Sequence, residues 1–166
     1  IYGEMFLAAA IAAAFVVKDP LEAVRIGMTE IPQESVLYED LAWALEKAPE
    51  IENYEQARAA VDERFKGMVW FHANNNACLM IFALKLGEGD FTRSISNMVA
   101  MGLDNDCTGA TVGSIMGAIC GVDNIPAYWS RNFHDTVFTF VNGCPEMKIS
   151  DVVSRFLKIA RRVHEE

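Results

Sequence analysis

Asp104-Asn105-Asp106-Cys107-Thr108 places two carboxylates, a thiol and a hydroxyl in five consecutive positions ahead of an apolar stretch of helical composition. On a regular helix two side chains two positions apart diverge by ~200°. They converge when the first sits in the turn that precedes the helix. Converging carboxylates suit a hard divalent ion, and with no histidine or paired cysteine nearby, Mg²⁺, Mn²⁺ or Ca²⁺ fits better than zinc. Counted as a calcium loop from Asp104, the segment has Asp106, Thr108 and Gly109 in suitable places but Ile115 where a bidentate glutamate is required, so an EF-hand is excluded. A local reading of the same residues stays open, in which Asp106 caps the helix and Asp104 is solvated near the positive end of its dipole.

A second polar cluster, His72 with Asn75 and Asn76, stands at the start of another apolar segment and is flanked by Trp70 and Phe71. These residues either contact a ligand or cap and satisfy the helix end locally. His134 and His164 have less around them. Behind the Asp turn, glycines fall at 109, 113, 117 and 121. Each glycine inside a helix costs about 1 kcal/mol relative to alanine. The spacing therefore predicts a close neighbour along that stripe, and the Ala-rich segment 8–14 is the expected partner.

The elements that must position these groups read as helices throughout. Phe6–Val17 is apolar on all sides, which predicts a helix buried around most of its surface. Asp19-Pro20 predicts a cap and first helical residue, Ser35 opens an amphipathic stretch ended by Pro49, and residues 53–66 repeat the pattern up to Gly67. Met68–His72 reads as extended. Segment 77–86 is an apolar helix stopped at Gly87-Glu88-Gly89-Asp90, followed by helices at 91–101 and 107–120. Residues 135–141 read as a short helix, and Ser150 as the cap of a last one. Nothing alternates with period two over a useful length, so the expected fold is all-α, a multi-helix bundle over residues 1–166.

Composition narrows the function classes. Of the 166 residues, 52% are hydrophobic and 22% charged, which is globular material. A net charge of −9 without a cluster of basic residues argues against nucleic acid as a partner. The longest apolar run is too short to span a membrane, which needs ~20 residues. With no readable secretory signal the expected location is cytoplasmic, and the four cysteines are read as reduced thiols.

The stretch FHANNNACLMIFALKLGEGDFTRSISNMVAMGLDNDCTGATVGSIMGAICG, followed by IPAYW, resembles the C-terminal half of the ADP-ribosylglycohydrolase superfamily, which includes the dinitrogenase reductase-activating glycohydrolases. It joins the His-x-x-Asn-Asn cluster, the Gly-Glu-Gly-Asp-Phe turn, the Gly-x-Asp-x-Asp-Cys turn and the glycine stripe in one order. The opening IYGEMFLAAAIAAAF resembles the helix that precedes these elements in bacterial members, so the likeness covers nearly all of residues 1–160.

The resemblance implies an all-α hydrolase, usually with two Mg²⁺ ions, that removes ADP-ribose from a modified protein side chain or a related conjugate; Mn²⁺ is the substitute ion. It implies Asp104 and Asp106 as metal ligands. Cys107 stands where a threonine ligand is frequent and Thr108 follows it, so both are candidates for a third ligand. His72, Asn75, Asn76, Tyr2 and Gly3 fall where ADP-ribose is contacted. Further ligands, typically in a Thr-Asp-Asp segment, belong to an N-terminal half, and no such tripeptide occurs here. The expectation is therefore that the chain is part of a longer protein, with the general base in the other part, and that alone it associates with itself through uncovered apolar surface. A catalytically silent ADP-ribose-binding or structural domain is the alternative.

Overall fold

The computed structural model describes residues 1–165, with side chains to residue 163; the side chain of His164 lies outside the described residues. The chain forms two compact units, Ile1–Ile125 and Pro126–Glu166. The first contains α1 (Tyr2–Ala14), α2 (Pro20–Met28), α3 (Val36–Lys47), α4 (Tyr54–Arg64), α5 (Ala73–Gly87), α6 (Phe91–Met101) and α7 (Asn105–Cys120), with short 3-10 turns at Ala48–Glu50 and Val122–Asn124. It is the all-α bundle expected. Among the described residues no helix is long and apolar enough to cross a membrane.

Helix boundaries follow the capping chemistry of the sequence. Asp19 accepts from the Leu21 amide, Ser35 from Tyr38 and Asp90 from Arg93, each satisfying a backbone N–H that its helix leaves without a partner. Glu88 closes α5 in the left-handed region at φ 50°, ahead of Gly89 at φ 80°.

The helix surrounded on all sides is α5 rather than α1. Cys78 through Leu84 are all buried, and α2, α3, α4, α6 and α7 pack around them. Helix α1 buries one side only, through Phe6, Ala10, Ala13 and Ala14, while Tyr2, Met5 and, just past its end, Phe15 and Val16 are exposed. Its uniform composition hid this, because alanine is compatible with either environment.

The glycine stripe of α7 also has a different partner from the one expected. Cβ atoms placed at Gly109 and Gly113 would meet Val99 Cγ2 at 3.4 Å and Ile95 Cδ1 at 3.5 Å, both on α6. Those are ordinary contacts. Gly121 lies beyond the helix at φ 73°. The close approach occurs at Gly27 of α2, where a Cβ would sit 2.6 Å from the Phe6 carbonyl oxygen and 2.9 Å from Ala10 Cβ, and at Gly87, where it would sit 2.8 Å from Ser94 Cβ. The Ala-rich α1 thus receives its closest approach from Gly27 of α2, while α7 also packs against it.

The second unit contains α8 (Ala127–Ser130), a two-stranded antiparallel pair of β1 (Thr136–Phe138) and β2 (Glu146–Lys148) with Val137 opposite Met147, and α9 (Ile149–Glu165). The short helix expected at 135–141 is instead the first strand of this pair with its flanking residues, and strands of three residues are too brief to leave an alternating signal. Ser150 does not cap α9, which starts at Ile149. Its amide and hydroxyl instead donate to the Asp135 carboxylate at 2.9 and 2.7 Å. These bonds hold the Asp135 carboxyl below the usual carboxylate range.

Two predictions follow from the packing and the cap. Gly27→Ala should destabilise the bundle by about 1–3 kcal/mol through overpacking against backbone, while Gly113→Ala should be neutral or stabilising by up to ~1 kcal/mol through helix propensity; chemical denaturation of both variants checks the order. Because the folded Asp135 pKa lies below its unfolded value, its contribution is present above the unfolded pKa of ~3.9 and is lost as pH falls through the folded value. Acid titration should therefore reduce α9 ellipticity in the wild type, and Asp135→Ala should start from reduced ellipticity at neutral pH and lose less on acidification.

Candidate functional site

The Asp turn joins α6 to α7 and is gripped from two sides. Arg58 Nη1 of α4 donates to the Met101 carbonyl oxygen at 2.7 Å, and the Asp104 amide donates to Asn76 Oδ1 of α5 at 3.1 Å. Between those anchors Gly102 takes φ 75° and Leu103 takes φ 62°. A left-handed leucine costs about 1–2 kcal/mol, so the two anchors impose a backbone that Leu103 itself disfavours.

Asp104 occupies the N-cap position of α7, yet its side chain makes no capping bond. Its carbonyl accepts from the Thr108 hydroxyl at 2.9 Å. Asp106 lies within the first turn and does not cap the helix either, which removes the local reading in which it does so. The ligand atoms of Asp104, Asp106 and Cys107 lie within 4.8 Å of one another, Asp104 half-buried and the other two exposed. A hydrogen bond to Asp104, with the negative charge of Asp104 and Asp106, pushes the Cys107 thiol up. Two carboxylate oxygens this close fit a hard divalent ion, for which a soft thiol is the poorer donor. Thr108, almost wholly buried, is the alternative oxygen donor beside them.

At the start of α5 the capping residue is His72, whose Nδ1 accepts from the Asn74 amide at 3.2 Å. With Nδ1 accepting, the neutral ring carries its proton on Nε2. Asn75 and Asn76 are buried and bond to backbone. Asn75 Nδ2 donates to the Val69 carbonyl at 3.0 Å, and Asn76 Nδ2 to those of Trp70 and His72 at 2.8 and 2.9 Å. Residues 68–72, read from sequence as extended, form a turn closed by the His72 amide on the Val69 carbonyl.

A cavity of about 160 Å³ opens between α1, α5 and α7. Gly3, His72, Asn76, Asp104, Cys107 and Thr108 line it, together with Phe71 and Thr111. Six of the nine residues singled out from the sequence thus meet around one space, although they come from three distant segments. Tyr2, Asn75 and Asp106 do not line it: Tyr2 is exposed at the start of α1, Asn75 serves the loop, and Asp106 belongs to the carboxylate cluster beside the cavity.

The sequence reading passed over a supporting network. Buried Asp40 of α3 accepts from Arg64 at 2.8 Å through one oxygen and from Asn74 Nδ2 at 2.7 Å through the other. Arg64 also lies 4.6 Å from the Trp43 ring centroid. Cys78 donates to the Asp40 carbonyl, and burial, with the charge of Asp40, pushes its thiol up. The run of three asparagines was the available signal, since a helix start needs one cap rather than three.

The chain belongs to the ADP-ribosylglycohydrolase family, whose model matches residues 1–165. Membership places it in a class of hydrolases acting on ADP-ribose conjugates. Searches among curated proteins and among solved structures gave no match.

Asn76→Ala should lower stability by about 1–3 kcal/mol, because the Trp70 carbonyl and the Asp104 amide lose their partner and the His72 carbonyl keeps only the backbone amide of residue 76. Hydrogen exchange at the Asp104 amide should accelerate by more than the global loss accounts for; equal acceleration throughout the bundle would mean that Asn76 does not hold the turn.

Proposed function

We propose that this chain carries part or all of the site of a metal-dependent hydrolase that releases ADP-ribose from a modified protein side chain or a related conjugate. The observation that carries the reading is the pair Asp104 and Asp106, brought together at a fixed turn beside a cavity in a chain of this family. Asp104 and Asp106 would hold Mg²⁺, with Thr108 as a further oxygen donor; Mn²⁺ would serve the same set. Such an ion, or a pair of them, supplies Lewis-acid polarisation and orients hydroxyls and water at neutral pH.

The chain's own groups then have separable tasks. Asp104 and Asp106 set the negative charge at the cavity edge, where charge develops on the ribose ring as its bond at C1″ breaks. His72 offers Nε2–H as a donor to a ribose or phosphate oxygen. Asn76 keeps the Asp104 backbone and the His72 carbonyl in fixed relation, which limits the motion that would misplace the reacting bond. Water adds to C1″ and the acceptor side chain leaves with a proton.

Mg²⁺ should stimulate release of ADP-ribose from ADP-ribosylated arginine, chelation should abolish it, and Asp104→Asn should reduce it by ~100-fold or more, as loss of several kcal/mol of charge stabilisation implies. Calorimetry with ADP-ribose separates the silent alternative: binding that ignores Mg²⁺, without release from arginine, serine or small-molecule conjugates, would replace catalysis with recognition.

A further inference from the structure

Among the described residues of the unit Pro126–Glu166 none is buried, although the unit holds a strand pair and a 17-residue helix. Its apolar side chains serve no core of their own. On α9, Val153, Phe156, Leu157, Ile159 and Val163 are each more than half exposed, and Phe156 reaches 71%. In the turn between β1 and β2, Phe140 and Val141 are exposed as well.

The exposed side chains of α9 are not scattered. At the ~100° per residue of an α-helix, its apolar residues fall within one arc of roughly 160°, and Asp151, Ser154, Arg155, Lys158, Arg161 and Arg162 occupy the other side. The apolar stripe is complete and uncovered.

The charges along the borders of the stripe indicate what would cover it. Leu157 is followed one turn later by Arg161, and Ile159 stands between Arg155 one turn before and Arg162 one turn after. Both borders are basic, and Asp151 lies away from them. Two copies of α9 laid face to face would set arginine borders against arginine borders, which like charge disfavours. An anionic surface meets the same borders with attraction. A wide apolar stripe containing Phe and Leu, with a basic opposite side, is the pattern of a helix lying in the headgroup layer of a bilayer, where long cationic stems reach back to the lipid phosphates. In a chain of net charge −9, α9 carries four of the 14 basic residues. Carboxylates more than ~8 Å from the surface are screened at physiological salt.

We propose that α9 is a membrane-surface helix, which lays its apolar stripe into the interface of a bilayer carrying anionic lipid while its border arginines pair with the lipid phosphates. It lies on the bilayer and does not cross it. The assignment stands apart from the ADP-ribose reading, since it uses no residue of the Asp turn or its cavity.

The test is sedimentation of the full 166-residue chain with vesicles of phosphatidylcholine alone, or of equal parts phosphatidylcholine and phosphatidylglycerol. Binding to the anionic vesicles should exceed binding to phosphatidylcholine at least about tenfold and should fall with added salt. Phe156→Gln should weaken it about 10- to 100-fold, as expected for one large apolar side chain lost from the bilayer, whereas Phe156→Leu should retain it. Arg155→Gln combined with Arg161→Gln should weaken binding to the anionic vesicles about 10- to 30-fold and leave phosphatidylcholine unaffected. Ser154→Gln, in the middle of the polar side, should change nothing. None of these side chains is buried, so the variants keep the fold, which their ellipticity checks. Absence of vesicle binding overturns the proposal, as do equal binding to both compositions or wild-type affinity in Phe156→Gln. A lipid-free dimer that Phe156→Gln dissociates would assign the stripe to a second copy instead. Phe156-dependent binding to an acidic, groove-bearing protein such as calcium-loaded calmodulin, without vesicle binding, would assign it to a protein partner.

Discussion

The hydrogen bonds of Asn76 are the constraint on which the rest of the site depends. Its amide nitrogen donates to the carbonyls of Trp70 and His72, and its oxygen accepts from the Asp104 amide. One side chain therefore joins the aromatic loop before α5 to the acidic turn before α7, across 28 residues of sequence. A carboxylate could not make this set, since it has no donor, and a lysine has no acceptor. An amide supplies both, and burial raises the cost of leaving any of the three unmade.

That junction holds only because α5 itself cannot shift. From Cys78 to Leu84 the helix is enclosed on every face, so its N-terminal turn projects from a fixed axis toward α1 and α7. Apolar area removed from water stabilises at roughly 25 cal/mol per Å², and a helix surrounded by five others collects that contribution around its whole circumference. The polar functions are placed at the one end where the enclosure stops. Close helix approach is reserved for Gly27 and Gly87, which lock α2 and α6 into the arrangement; the glycines of α7 relax the contact with α6 without demanding it.

Local chemistry was legible in the sequence and long-range choice was not. The cap expected at Asp19 depends on residues within three positions and formed, as did those at Ser35 and Asp90, where the sequence marks a helix start and a stop; the cap expected at Ser150 did not, because the bond that replaces it comes from distant Asp135. The residues of the candidate site were also legible as types in clusters. What could not be read was the partner of the glycine stripe, because its spacing shows that side chains are small but not which helix faces them. The role of Asn75 was hidden for the same reason: an asparagine beside a ligand cluster and one anchoring a loop are identical until the Val69 carbonyl is seen under it. Leu103 gave no warning at all, since its left-handed backbone is imposed by Arg58 and Asn76 from outside the turn.

Two carboxylates with oxygens within 4.8 Å of each other repel, so the fold must compensate for holding Asp104 and Asp106 together. It does so with partial charges only. The N-terminus of α7 contributes the positive end of its dipole, roughly half an elementary charge spread over several amides. A lysine or arginine at this turn would have neutralised the pair more fully, as Arg64 does for Asp40. No such cation pairs with Asp104 or Asp106 among the described residues, whereas Asp62 and Asp40 both have arginine partners. At Asp40 and Asp62 an arginine of the same chain neutralises the carboxylate; the paired charge at the Asp turn is left in a form that a small, doubly charged ion would neutralise better than any group nearby.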